Sequence, residues 1–419
     1  MAAPPLAQGD IDAGAPDVSG LVVNRDKDGE CRPMPVVETA TQATRSRPIG
    51  LYIHIPFCRT LCSYCDFVRN QVTTDIPESF FEAISEEISA CEYPAEVRSI
   101  YVGGGTPSLV SIEGLGRILD AVRRRFPVRL RVAGFYTGRD DAGVEITIEA
   151  NPDDVTPDLA RAWRSLGINR VSLGVQSFAD PVLRYLGRRH DARRARRACE
   201  IIGAEFQNWN MDLIYGAHPV SEWAATLRTC AALCPPHVSV YSLTFEKGTP
   251  FETRAHEAVD EDVSLGLYRR ACEVLGEYDH YEISNFARSG FQCRHNLIYW
   301  RNEEYLGFGP GAYSFVDGVR SRHVESLEAY VARPHAKAET LRLTEREIRI
   351  ETLIQCFRLA EGLSKAYYQY RFGRSVRDDF GACLDGLLER GLLVEDENAI
   401  RPTTRGFELN NEIGLALVD

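Results

Sequence analysis

From Pro48 onward, short β-rich runs alternate with amphipathic stretches long enough to form helices. Apolar, β-branched runs predict six strands over residues 51–55, 99–102, 144–149, 170–175, 210–214 and 238–242. Helical periodicity falls between them, near 77–92, 111–126, 157–166, 191–204 and 221–233. This alternation implies right-handed crossovers and a parallel sheet, either open or curved into a barrel. After about residue 344 the texture becomes helix-rich. Helices are expected over 345–358 and 376–390, the second stopped by Gly391. Residues 392–394 and 399–401, separated by an acidic turn at 395–398, predict a small hairpin. Two helices and a hairpin suggest a winged-helix-like unit.

His54, Glu149, Gln176 and Asp212 all lie at or just beyond the C-terminal ends of predicted strands. Parallel sheets and barrels place their sites there, so one mouth is expected to hold the chemistry. Charge narrows the ligand class. The 419 residues carry 48 Lys and Arg against 60 Asp and Glu, a net of −12. Residues 344–419 have 10 cations and 14 anions, a net of −4. Phosphate backbones need clustered cations, so no nucleic-acid partner is expected, even for the winged-helix-like part. No run approaches a membrane span of roughly 18 apolar residues, and the first 48 residues lack a cationic segment followed by an apolar one. A cytoplasmic protein is the expectation. Six of the 21 prolines and several acids fall in the first 48 residues, so residues 1–47 read as a disordered tail.

Most of the twelve cysteines read as free, buried thiols, but three do not. Cys58, Cys62 and Cys65 form a C-x3-C-x2-C segment directly after the first strand. Three thiolates can hold three irons of a 4Fe–4S cubane. The fourth iron is then open to the amine and carboxylate of an amino acid, which suits reductive cleavage of S-adenosylmethionine (SAM). A zinc site would normally demand a fourth Cys or His at finger or ribbon spacing. Gly103-Gly104-Gly105-Thr106-Pro107 follows the second strand, where backbone N–H groups can approach a ligand closely.

Together these motifs resemble the radical SAM proteins, in the branch that holds the oxygen-independent coproporphyrinogen III oxidases and the haem chaperones. The resemblance runs from about Pro48 to the C-terminus. It implies a partial (β/α)6 radical SAM barrel over 48–285, a connecting region over 286–343 and a helical C-terminal domain over 344–419. It implies a 4Fe–4S cluster on Cys58, Cys62 and Cys65. It also implies SAM contacts from Tyr52, Tyr64, Gly104, Gly105, Thr106, Glu149, Gln176, Arg188 and Asp212. Carboxylates can accept from ribose hydroxyls, and an arginine can pair with a carboxylate. Arg188 sits in a run with Arg184, Arg189, Arg193, Arg194, Arg196 and Arg197, which reads as a solvated helix face or as a docking patch for an acidic partner.

The oxidases of this branch carry a fourth cysteine two residues after the triplet, where this chain has Phe67. Cys65-Asp66-Phe67 and His295-Asn296-Leu297-Ile298-Tyr299-Trp300 are instead similar to the haem-chaperone subgroup. The resemblance thus implies haem as cargo, a haem-accepting protein and an electron donor, with His295 as a candidate haem contact. Decarboxylation of coproporphyrinogen III and radical methylation or cyclopropanation stay open as alternatives. Where relatives continue D-L-I-Y-G with L-P-G-Q-T, this chain has Ala217-His218-Pro219-Val220-Ser221.

Overall fold

The computed structural model describes residues 47–127 and 143–418. Residues 1–46 of the expected tail lie outside the described residues. The six expected strands are β1 (Arg47–Ile55), β2 (Ala95–Gly104), β3 (Glu145–Ala150), β4 (Arg170–Gln176), β5 (Asn208–Tyr215) and β6 (His237–Ser242). They follow one another in sheet order, and every neighbouring pair is parallel. Their apolar residues, such as Ile49, Leu51, Ile146, Ile148, Val171 and Leu173, are almost fully buried. Parallel strands covered by helices bury apolar side chains in this way.

Each strand feeds a helix: α1 (Glu78–Ala90), α2 (Ile112–Arg125), α3 (Pro157–Ser165), α4 (Ala192–Glu205), α5 (Trp223–Leu233) and α6 (Glu261–Val274). The starts of α2, α3 and α4 are fixed by side-chain caps. Ser111, Thr156 and Asp191 accept from the N–H groups of Gly114, Leu159 and Arg194 respectively, each cap contributing about 1 kcal/mol.

The sheet continues past both ends of this unit. Beyond β6 lie β7 (Asp279–Glu282) and β8 (Asn285–Ala287), with β8 antiparallel to β6. On the other edge, β9 (Tyr305–Phe308) joins β1 in parallel. It is followed by antiparallel β10 (Tyr313–Val316), β11 (Val319–His323) and β12 (Lys337–Arg342). β1 and β6 therefore have different outer neighbours and do not pair with each other. The short helix α7 (Arg294–Trp300) lies between the two extensions in sequence.

The C-terminal region has its own core, including Leu353, Phe357, Tyr368, Leu384, Leu387 and Ile413. Helices Glu345–Cys356 and Val376–Glu389 stand where the periodicity put them. Gly391 follows the second with φ +68, a conformation that suits glycine. Strands Leu393–Glu395 and Ala399–Pro402 form the expected hairpin, joined by Leu363–Ser364. Helices Lys365–Phe372 and Asn410–Val418 complete the region. Among the described residues, no helix is long and apolar enough to cross a membrane.

Candidate active site at the barrel mouth

The cysteine segment leaves β1 as a loop with a closed base. Asn70 and Val72 donate backbone N–H groups to the carbonyls of Pro56 and Cys58, at 2.5 and 2.9 Å. Phe57 is fully buried and meets Phe80 of α1 edge-on at 5.0 Å, which anchors the near side of the loop. The far side is held when Phe251 N–H donates to the Ser63 carbonyl at 3.1 Å. Inside the loop, Arg69 donates to the Cys62 and Phe67 carbonyls. Cys58 is 6% exposed, whereas Cys62 and Cys65 are half-buried, and Cys62 lines the cleft at the mouth.

Burial raises the pKa of the Cys58 thiol and pushes that of Cys65 up to about 11. Among the described residues, no three His, Cys, Asp or Glu side chains converge tightly enough for one metal ion. A single zinc with bonds of about 2.3 Å would draw its ligands into such a cluster. Three thiols on one loop, with no fourth protein ligand among the described residues, instead fit a larger group that takes each sulfur on a different metal atom. The backbone opposite is trimmed to match. A Cβ on Gly105 would stand 3.0 Å from Cys58 Sγ and 2.7 Å from the Phe57 carbonyl. Gly104 holds φ +114, where a Cβ would meet the His54 ring at 2.6 Å.

The strand-end polar residues gather beside this loop. Tyr101 Oη donates to Glu149 Oε1 at 2.9 Å, and Gly104 N–H donates to Glu149 Oε2 at 3.1 Å. Asp212 accepts from Ser172 Oγ at 3.1 Å and Asn210 Nδ2 at 2.7 Å. Burial, with Glu149 nearby, raises the pKa of Asp212. Gln176 is buried at the end of β4 with φ +65, a strained conformation for a non-glycine residue, and among the described residues its Oε1 has no hydrogen-bond partner. Half-buried Arg188 donates to the Gly174 carbonyl at 3.0 Å, to Asn151 Oδ1 and to Cys62 Sγ at 3.3 Å. Thr106 Oγ1 donates to Cys58 Sγ at 3.4 Å. A cleft lined by Arg59, Cys62, Thr106, Asn151, Asp154 and Arg188 opens beside the loop. Tyr52 lies inside the barrel, hydrogen-bonded to His54 Nδ1 at 3.1 Å, and Tyr64 packs edge-on to Phe251.

His295 is elsewhere. It is 1% exposed, with Nδ1 bonded to Ser99 Oγ at 2.8 Å and Nε2 to Tyr299 Oη at 2.9 Å. Ser99 precedes Gly104 by five residues of β2, roughly 17 Å along the strand. The Arg294 and His295 N–H groups donate to Glu145 Oε1 at 3.0 and 3.4 Å, and Glu145 starts β3. α7 therefore sits at the opposite end of the strands from the cysteine loop. Gly50 of β1 lets it approach, since a Cβ there would stand 2.9 Å from Ile298. Burial, with Arg170 nearby, pushes the His295 pKa down to about 3. Both ring nitrogens are thus engaged inside the protein. The expectation of His295 as a haem contact meets a packed floor residue with no free lone pair.

The arginine run is mostly committed to local structure. Arg194 donates to the Asp153 and Val155 carbonyls, Arg197 pairs with Glu200 at 3.1 Å, and Arg196 lies over the Phe178 ring. His218 bonds the Glu257 carbonyl at 2.8 Å and meets Tyr185 edge-on. Sequence reasoning passed over Tyr101, Asn151, Ser172 and Asn210, which hold the expected site residues in place. Asn151 was visible as part of Glu149-Ala150-Asn151-Pro152.

Comparison with known proteins gives the chain's family and fold. Residues 52–229 match the radical SAM superfamily and 343–409 match the HemN C-terminal domain. The haem chaperone HemW of Lactococcus lactis is 31% identical over 378 residues, covering 88% of this chain and 96% of that protein. HemW of Synechocystis is 39% identical over 300 residues, covering 68% of this chain and 70% of its own length. The solved structure of coproporphyrinogen III oxidase HemN of Escherichia coli superposes with a TM-score of 0.73 at 22% identity. It covers 89% of this chain and 90% of HemN, so the two share a fold. With near-complete overlap at more than 30% identity, the chain belongs to the HemW family of the radical SAM superfamily.

Proposed function

We propose that this protein is a haem chaperone that carries a 4Fe–4S cluster on Cys58, Cys62 and Cys65, binds SAM at the barrel mouth and delivers haem to haem-dependent respiratory proteins. The observation that carries the reading is the near-full-length similarity to proteins named haem chaperones. Cys58, Cys62 and Cys65 would hold the cluster, which when bound would supply one-electron reduction of a sulfonium. This chain's own residues bind and orient. Glu149 and Asp212 offer acceptors to hydroxyls, Gln176 offers its unpartnered carbonyl, and Gly104 and Gly105 keep side chains away from the ligand. The partners proposed are haem as cargo, a haem-accepting protein and an electron donor, in the cytoplasm. His295 is not proposed as the iron ligand, because Ser99 and Tyr299 take both its nitrogens.

Phe67 stands where the oxidases of the branch carry a further cysteine, which weighs against decarboxylation. Anaerobically reconstituted and reduced protein is expected to bind haem in an optical titration and pass it to an apo-haem protein. With SAM and coproporphyrinogen III it should release neither protoporphyrinogen IX nor carbon dioxide above background, with a known oxidase as positive control. Product at a catalytic rate, or no haem bound by fully loaded protein, would overturn the reading.

A further inference from the structure

Two of the three cluster thiols receive a side-chain hydrogen bond, and one residue organises both donors. Thr106 Oγ1 lies 3.4 Å from Cys58 Sγ, and Arg188 Nη1 lies 3.3 Å from Cys62 Sγ. Asn151 stands between them. Its Nδ2 donates to Thr106 Oγ1 at 3.2 Å, and its Oδ1 accepts from Arg188 Nη2. A hydroxyl has a single proton. With the Thr106 oxygen accepting from Asn151, that proton is directed to the sulfur. Arg188 is constrained in the same way, since Nη2 is held by Asn151 and the Gly174 carbonyl while Nη1 points at Cys62.

Asn151 is itself fixed. Its N–H donates to Ser108 Oγ at 3.1 Å, and Ser108 Oγ donates to Asp154 Oδ2 at 2.7 Å. Cys65 differs from its neighbours. Its sulfur has a backbone N–H from Phe67, and among the described residues no side-chain donor reaches it.

Hydrogen bonds to the sulfur ligands of an iron–sulfur cluster stabilise the more electron-rich form and raise its reduction potential. We infer that Asn151 is a positioning residue that aims Thr106 and Arg188 at the sulfurs of Cys58 and Cys62, and thereby raises the potential at which the cluster accepts its electron. The inference rests on the cluster assignment proposed above. It gives Thr106 and Arg188 a task toward the metal that is present before any SAM is bound.

The test is an anaerobic redox titration of the reconstituted full-length chain without SAM, followed by the EPR signal of the reduced cluster, alongside iron and sulfide content. Asn151→Ala and Thr106→Val are each expected to load iron fully and to shift the midpoint to more negative values. Thr106→Ser, which keeps the hydroxyl, should titrate like the parent. Because Asn151 acts through Thr106, adding Thr106→Val to Asn151→Ala should shift the midpoint less than Thr106→Val does alone. A loaded Asn151→Ala protein with the parent midpoint would overturn the inference while leaving the cluster assignment intact. Should Asn151→Ala fail to load, Thr106→Val decides, and an unchanged midpoint there overturns the inference equally. Absence of any cluster from the parent protein overturns the assignment itself.

Discussion

The two ends of the barrel use similar residue types in opposite ways. At the mouth, polar groups are held in arrangements that folding alone does not favour. Gln176 has φ +65 and an unpartnered carbonyl, and Gly104 has φ +114. The thiols of Cys62 and Cys65 lie only half-buried. At the floor, His295 and Tyr299 satisfy one another, and the Glu145 carboxylate accepts the first N–H groups of α7. A carboxylate at a helix start is a stabilising arrangement. The contrast separates chemistry from packing more sharply than residue type does. A histidine beside an amide, a phenol and an indole reads as a reactive motif, yet in three dimensions it is a plug. An asparagine in a turn-like segment reads as bland, yet it holds the Thr106 and Arg188 side chains that reach the cysteine sulfurs.

If the mouth holds the metal and the floor holds the fold, substitutions at the two ends should have separable effects. The largest effect is expected from Cys58→Ala, Cys62→Ala and Cys65→Ala combined. Iron and sulfide per chain should fall to background, with far-ultraviolet circular dichroism unchanged. Full retention of iron would remove the site from this loop. Next, His295→Ala should cost about 3 kcal/mol, because it opens a buried cavity and strands Ser99 and Tyr299. Iron uptake of the folded protein should persist, with denaturant unfolding as the measure. A stability-neutral His295→Ala that lost iron would reverse the comparison.

The smallest effect is one of slope. His295 has a folded-state pKa of about 3 against an ordinary value of 6.5, so the unfolded chain binds more proton between those limits. Its contribution to stability is present at neutral pH and falls by about 1.4 kcal/mol per unit as pH drops through 6.5 toward 3. His295→Gln should therefore flatten the stability profile between pH 6 and 4 by that amount relative to the parent. Parallel profiles would mean that the imidazole is not held neutral.

The six parallel strands and their helices were legible because buried strands are continuous apolar runs and covering helices keep a 3.6-residue period. The second extension was not. Every residue of β12, Lys337–Arg342, is exposed, and β9 and β10 have four residues each. Edge strands of that length leave little periodicity to detect. At the site, the cysteine spacing and the glycine run could be read because covalent geometry and chemistry demand those residues. The place of His295 could not, since it depends on Gly50 admitting α7 beneath the strands, a contact between segments some 245 residues apart. The role of Asn151 escaped for the same reason, because its side-chain partners, Thr106 and Arg188, come from two segments distant in sequence.

The different outer neighbours of β1 and β6 have a mechanical meaning. In a closed barrel the circumference is fixed by an unbroken ring of ladder hydrogen bonds, and widening it means breaking some of them. Here β1 turns to β9 and β6 to β8, so the ring is never completed. The gap between the two flanks is governed by the twist of the sheet, a soft coordinate that every strand shares in small increments. No strand-to-strand hydrogen bond therefore ties the β1 flank directly to the β6 flank among the described residues.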